Sequence, residues 1–375
     1  MKKKIIVGLL VFVSYASFGQ VVKKTHKDST DLTFKGTKIN PYSQEYDSTG
    51  KWVLSGYIDT YISHYSDTTN ENGFVKFPTI APRNNQFGLN ILQFTAKYQA
   101  KSFRSTATIF TGDCPKSAWS ADFNFIQEAN LGFRIYRKLW MDMGFFRTHI
   151  GLESVQPREN MTLSLATTSY FEPYFMSGAK ITYEITNKWT IQANAFNSYN
   201  QFVEFNKNKA IGISTAYTST NLNLVFSTLL SNETNNPTFW RLYNNMCFSY
   251  HTKKIVLGAE ANLGFQHNTL GINHILSGLI AGNYRLSPKI ASYVRGELFI
   301  DPNEILKGPV YNENHSLVGM EIVGITHGWE YKPIPNSYVR FEGRVLSNYN
   351  QHIFDYQGIP SKIRTELCFG MGVWF

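Results

Sequence analysis

The chain has 375 residues, of which 43% are hydrophobic, 15% aromatic and 17% charged, with a formal net charge of +9. So few charges among so many aromatics exclude a disordered chain, and a mean hydropathy of -0.25 excludes a bundle of transmembrane helices. Two classes remain: a large secreted all-β protein, or a transmembrane β-barrel.

The N-terminus reads as an export signal. Lys2, Lys3 and Lys4 precede the apolar run Ile5 to Val13, and Ser17-Phe18-Gly19 places small residues at a cleavage site before Gln20. Residues 1–19 are therefore expected to be a cleaved signal peptide, since the apolar run is far shorter than the ~20 residues of a membrane-spanning helix. Residues 20–50 are polar and aperiodic and read as a flexible periplasmic leader. No basic block follows, so nucleic-acid binding is not expected. Cys114, Cys247 and Cys368 are widely spaced and give neither a disulfide framework nor a metal motif.

From Trp52 onward the texture is that of strands, apolar and polar residues alternating with period two. In the last segment Ile363, Leu367, Phe369, Met371, Val373 and Phe375 share one face, while Arg364, Glu366, Gly370 and Gly372 share the other. The pattern predicts sixteen strands, within a bracket of fourteen to eighteen. They fall at 52–64, 88–99, 103–112, 122–136, 139–149, 173–186, 189–199, 209–218, 221–231, 240–252, 255–266, 273–285, 289–301, 315–332, 337–349 and 361–375. The twelfth has the weakest alternation.

Connections separate the two remaining classes. Tight turns fall near Lys101, Lys138, Asn187, Thr220, Lys253, Ser287 and Pro335; longer ones fall between them, at 66–86, 113–121, 150–172, 232–238, 267–272 and 302–315. Short turns alternating with long loops are the asymmetry of an outer-membrane barrel, and a soluble sandwich has no reason to sort its loops this way. The expected fold is an all-β, antiparallel, up-and-down transmembrane barrel over residues 51–375. Phe369, Met371, Val373 and Phe375, alternating up to a terminal aromatic, resemble the signal read by the barrel assembly machinery.

A barrel of sixteen strands is wide enough for an aqueous lumen, and its inward side chains set what passes. The polar parity nominates Arg295, Glu297, Arg340, Glu342, Arg344, Lys362, Arg364 and Glu366 as pore-lining. Opposite charges on neighbouring strands also suit a ladder that stiffens the wall, which is the weightier expectation for these residues. In the loop 150–172, Glu153, Arg158, Glu159 and Asn160 are candidates for a constriction, if that loop folds inward. No HExxH, GxSxG or phosphate loop is present. His267 and His274 lack a carboxylate or Cys partner in their region, so no metal or cofactor is expected. Gly370-Met371-Gly372 reads as a place where small side chains fit the wall.

Short motifs then carry a resemblance: Ser55 to Tyr61 in the opening strand, His149-Ile150-Gly151-Leu152-Glu153-Ser154, Glu159-Asn160, Ser164-Leu165, Pro173-Tyr174-Phe175 and Gly178. Later come Arg295, Glu297, Asp301-Pro302, Tyr331-Lys332-Pro333, Arg340, Glu342, Arg344 and Phe354. The chain resembles the β-barrel porins of the OmpL-like type common in Bacteroidetes. It departs from them at Met161-Thr162-Leu163, where an aromatic-Thr-Arg run is expected. The resemblance implies a pore in the outer membrane of a Gram-negative bacterium and names no substrate.

The function expected is passive diffusion of small hydrophilic solutes or ions, without catalysis. Partners would be outer-membrane lipid, the assembly machinery and, as in many sixteen-stranded porins, two further copies in a homotrimer. The alternatives are a closed barrel displaying loops for adhesion or partner assembly, and an outer-membrane hydrolase. A transporter with twenty-two strands and a plug does not fit this length.

Overall fold

The computed structural model describes residues 50–375 apart from 71, 205, 235, 237, 270, 307–309, 312–316 and 350. The signal peptide expected at 1–19, and all but the last residue of the leader expected at 20–50, lie outside the described residues.

Sixteen strands form one closed antiparallel barrel. They are β1 (Lys51–Tyr65), β2 (Phe87–Gln99), β3 (Phe103–Thr111), β4 (Ile126–Tyr136), β5 (Leu139–Arg147), β6 (Phe175–Glu184), β7 (Trp189–Phe196) and β8 (Ala210–Thr218). The ring continues with β9 (Leu222–Ser231), β10 (Arg241–His251), β11 (Ile255–Asn268), β12 (Gly271–Arg285), β13 (Ile290–Asp301), β14 (Met320–Tyr331), β15 (Ser337–Asn348) and β16 (Ile363–Trp374). Each strand pairs with its neighbours in sequence, and β16 closes the ring on β1 from Tyr57↔Trp374 to Tyr65↔Glu366. Closure leaves no row of unpaired backbone groups, which hydrocarbon could not satisfy.

The predicted alternation sorts the wall. On β16, Ile363, Leu367, Phe369, Met371 and Val373 face outward, each at least 38% exposed, while Arg364, Glu366 and Cys368 are buried inside. The same split puts Ile211 and Ile213, Leu224 and Phe226, Val323 and Ile325 on the exterior. In water this much contiguous apolar surface is an association liability; a bilayer is the solvent that matches it. No helix among the described residues is long and apolar enough to cross a membrane, so the strands do the spanning.

Strand boundaries follow the sequence reading closely. The largest departures are β4 and β14, which begin at Ile126 and Met320 rather than at 122 and 315. One expected long connection is short: β11 and β12 extend through 267–272 and pair as far as Asn268↔Gly271. Gly271, at φ 98°, takes up the left-handed backbone that this tight closure needs. The remaining long loops all lie at one end of the barrel. Loop L1 is 66–86, L2 112–125, L3 148–174, L4 197–209, L5 232–240, L7 302–319 and L8 349–362, with L6 the short turn at 269–270. L2 contains a helical turn, Asp113–Ala118, and L3 a second, Thr167–Phe171.

A pore crossed by its third loop

L3 is buried along nearly its whole length. Its contacts run around the ring. On one side Gln156 Nε2 donates to Gln127 Oε1 of β4 at 3.0 Å, and the Arg158 guanidinium lies over the Tyr57 ring of β1 at 4.7 Å. On the other, the Gly151 amide donates to Asn245 of β10 at 3.2 Å and the Leu152 amide to Glu260 of β11 at 2.7 Å. β1 and β10 stand nearly opposite in a ring of sixteen, so L3 crosses the lumen rather than lining one wall.

Three inward side chains of β13 and β15 hold the crossing in place. Arg340 donates through Nη1 to the carbonyls of Pro157 and Thr162, both at 2.8 Å, and through Nη2 to that of Asn160 at 2.9 Å. Its Nε donates to Glu330 Oε2 at 2.8 Å. Arg295 donates to Glu153 Oε1 at 2.9 Å, Thr162 Oγ1 at 2.7 Å and the Ser164 carbonyl at 2.7 Å. Glu342 accepts the amides of Leu163 and Ser164 at 2.7 and 3.0 Å. An irregular loop inside a barrel must satisfy its backbone somewhere, and here the wall supplies the partners.

Packing completes the seat. A Cβ built on Gly370 of β16 would stand 2.8 Å from Leu163 Cδ1, and one on Gly258 of β11 would stand 2.7 Å from Met161 Cε and 2.9 Å from Leu152 Cδ2. The bare backbone at these two positions is what lets apolar knobs of L3 press against the wall. Met161 and Leu163 flank Thr162 in the run where the resemblance led one to expect an aromatic and an arginine, and they serve as these knobs. Above L3, at the long-loop end, Val75 and Ile80 of L1, Cys114 of L2, Val155, Leu163 and Leu165 of L3, and Phe202 of L4 join one apolar cluster with inward Tyr57, Tyr65 and Tyr338.

The sequence-nominated lumen residues are brought together as pairs. Glu297 accepts both Arg344 Nε at 2.9 Å and Arg344 Nη2 at 2.7 Å, and also the Thr167 amide of L3 at 2.6 Å. Arg344 reaches Glu366 at 3.1 Å, and Arg364 pairs with Glu366 and with Asp67 of L1, the latter at 2.7 Å. Arg295, Arg340, Arg344 and Arg364 are each at most 4% exposed. Lys362 differs: it precedes β16 in L8 and is exposed, with Nζ 3.4 Å from the Tyr349 carbonyl, so parity counted from inside the strand does not place it in the wall. Of the loop candidates, Glu153 is buried against Arg295, Glu159 pairs with Arg147, and Asn160 closes the loop onto Ser154 through bonds of 2.6 and 2.7 Å. Arg158 is half-buried.

Other inward charges keep more contact with solvent. Lys97 of β2, Glu128 and Arg134 of β4 and Lys180 of β6 are half-buried, on the arc of wall away from the β13–β16 clamp. Arg134 lies over the Trp140 ring at 4.8 Å and Lys180 over that of Phe146 at 3.9 Å. The wall amides Gln127, Asn245 and Asn262 also hold L3, and sequence reasoning missed them. The inward parity of Asn245 and Asn262 was readable, but no local signal tells an amide that meets water from one that meets a loop. Gln127 has the outward parity of β4 and is turned inward by a β-bulge opposite Thr108 and Ile109.

A family model described as "putative beta-barrel porin-2, OmpL-like" matches residues 51–375, the whole barrel. No curated protein matches the chain. Among solved structures, the anion-selective porin from Comamonas acidovorans is similar over 87% of this chain and 100% of its own, with 9% identity and a TM-score of 0.57. The outer membrane channel DcaP of Acinetobacter baumannii matches over 88% and 99%, with 10% identity and a TM-score of 0.57. Salmonella typhi OmpF, solved with daunomycin, matches over 88% and 99%, with 13% identity and a TM-score of 0.56. At these identities the likeness is one of fold.

Proposed function

The chain belongs to the OmpL-like β-barrel porin family, and on that premise we propose an outer-membrane channel for passive diffusion of small hydrophilic solutes or ions, without catalysis. The observation that carries the reading is the closed ring of sixteen strands with a polar interior and an inward-folded L3. A ring of this size without a crossing loop is an open hole, and L3 reduces it to a passage whose width the protein controls. Because the β13–β16 charges are mutually compensated, selectivity falls to the half-buried Lys97, Glu128, Arg134, Lys180 and Glu184, a set with three cations and two anions. That balance favours a weak anion preference.

Residues 1–19 would direct export and be removed, leaving 20–50 as a leader in the periplasm. Phe369, Met371, Val373 and Phe375 would be read by the assembly machinery before β16 closes on β1. A homotrimer is part of the proposal; a trimer form is recorded for OmpT of Vibrio cholerae, one of the structures of similar fold.

The test is single-channel conductance of the refolded protein in a planar bilayer under a salt gradient. Ohmic steps with an anion-sided reversal potential are expected. The burial of L3 and the apolar cluster above it favour one second reading, a closed barrel that displays its loops. A folded, heat-modifiable barrel that never conducts would replace the first reading with the second.

A further inference from the structure

The short turns of the barrel carry charge of one sign. The seven turns that join β2 to β3, β4 to β5, and so on to β14 and β15 contain eight Lys or Arg and no Asp or Glu. Lys101, Arg137, Lys138 and Lys188 occupy the first three, and all four are exposed. Lys253, Lys254 and Lys289 are exposed in later turns; half-buried Lys332 begins the last and pairs with inward Glu330 at 3.4 Å. Lys51 adds a further exposed cation where β1 starts. The opposite end is mixed: its loops hold Asp67, Asp113, Glu233 and Asp355 beside Lys76, Arg83, Lys207 and Lys362.

A second pattern sits one to three residues inside the first. Outward aromatics mark the same level: Tyr98 and Phe103 around the first turn, Tyr136 and Trp189 beside the next two, then Tyr217, Tyr250, Tyr284 and Tyr331. Some touch aromatic neighbours across strands, with Trp52–Tyr98 centroids at 5.0 Å, Phe103–Phe133 at 5.1 Å and Trp189–Tyr217 at 5.1 Å. Aromatic belts settle at the headgroup level of a bilayer. Cations placed just beyond such a belt stand among the phosphates, where an anionic surface attracts them. Lys and Arg stems are long enough to lie along the belt with the charge at the phosphates.

We propose that this rim is a binding surface for anionic glycerophospholipid of the periplasmic leaflet, recognised through the phosphodiester charge, and that it selects such lipid over zwitterionic lipid in the annulus around the barrel. The proposal rests on the outer-membrane reading above. Nothing in it requires the lumen to be open.

The test is competitive quenching of tryptophan fluorescence in the full barrel reconstituted in mixed vesicles. Trp52, Trp189 and Trp329 face outward near this rim. Brominated phosphatidylglycerol should quench at a lower mole fraction than brominated phosphatidylcholine, by roughly five-fold at low salt, and the difference should shrink in high salt. Replacing Lys101, Lys188, Lys253, Lys254 and Lys289 with Gln together should bring the two lipids to parity in a barrel that still shows heat-modifiable migration. Lys207→Gln with Lys362→Gln, at the other rim, should leave the preference as it is. Equal quenching by both lipids in the unsubstituted protein, or a preference untouched by the five substitutions, overturns the proposal. So does loss of the preference on adding soluble glycerophosphate, which would assign the rim to a free anion. Quenching by neither lipid would instead sink the outer-membrane reading itself.

Discussion

Arg340→Ala is the substitution that separates a clamped L3 from a loop that merely rests in the lumen. Arg340 is 2% exposed and ties three carbonyls of L3 to β15 while pairing with Glu330 of β14. Removing one partner of a buried charge pair costs about 3–5 kcal/mol, since the other is left uncompensated. Each carbonyl stripped of its donor adds about 1 kcal/mol, less where water enters the space left behind. Only the carbonyl share and part of the pairing bear on docking of the loop; about 3 kcal/mol is a fair value, a shift of roughly 150-fold in the ratio of undocked to docked L3. The barrel itself should survive, because its backbone ladder does not pass through this side chain. Single-channel records should show frequent excursions to larger conductance and a noisier open level. Arg340→Lys keeps the charge near Glu330 but lacks the fork that reaches three carbonyls, so it should fall in between. A folded Arg340→Ala barrel with the noise and conductance of the parent would refute the clamp.

Three further outcomes are expected. Gly370→Ala should be mild, since the atom it meets is the end of Leu163, whereas Gly370→Val should force that knob off the wall at about 1–3 kcal/mol, read as a lower heat-modifiability midpoint. Lys97→Glu with Arg134→Glu should move the reversal potential toward cations, both side chains being half-buried in the lumen; an unmoved potential would put the ion path elsewhere. Asp355 of L8 is slightly desolvated, but the Thr68 hydroxyl at 2.5 Å, the Gly358 amide and Lys76 at 3.1 Å outweigh that and hold its carboxyl below the usual carboxylate range. A depressed folded pKa means that the L1–L8 contact gains its full stabilisation above the ordinary value of ~3.9 and loses it as pH falls through the lowered one. Limited proteolysis of L1 should therefore be the same at pH 7 and pH 5 and rise only below about pH 4; a rise already at pH 5–6 would count against this pairing.

The wall was legible because two solvents press on it. Lipid demands apolar residues at every second position and the lumen tolerates polar ones, so the period of two survives in sequence from Trp52 to Phe375. Strand β12 shows where that logic weakens. Its inward positions include Ile275 and Leu279, and Leu279 packs with Leu152, Met161 and Ala166 of L3. An inward apolar residue breaks the alternation, and the break is the trace of the loop. The pairing of Arg344 with Glu366 was readable as opposite charges on neighbouring strands, whereas that with Glu297 reaches across β14 and was not. The link from Arg295 to Glu153, 142 positions apart in the chain, was not, because it depends on where L3 lands rather than on any ladder.

Burial inverts the meaning of the lumen's charges. An inward arginine on a water-filled wall attracts anions; the same arginine under a loop, bonded to carboxylates and carbonyls, is neutralised at contact distance and contributes little field to a passing ion. The densest inward charge in the sequence, on β13, β15 and β16, is also the most compensated in the structure, since it is the charge that L3 needs. It follows that counting inward charges overstates the field and can point to the wrong arc of the wall. On the proposed reading, what discriminates ions comes from groups that L3 leaves in contact with water, among them Lys97 of β2, Glu128 and Arg134 of β4, and Lys180 and Glu184 of β6. Polar parity alone merges two tasks, holding L3 and facing what passes, and the β13–β16 charges perform the first.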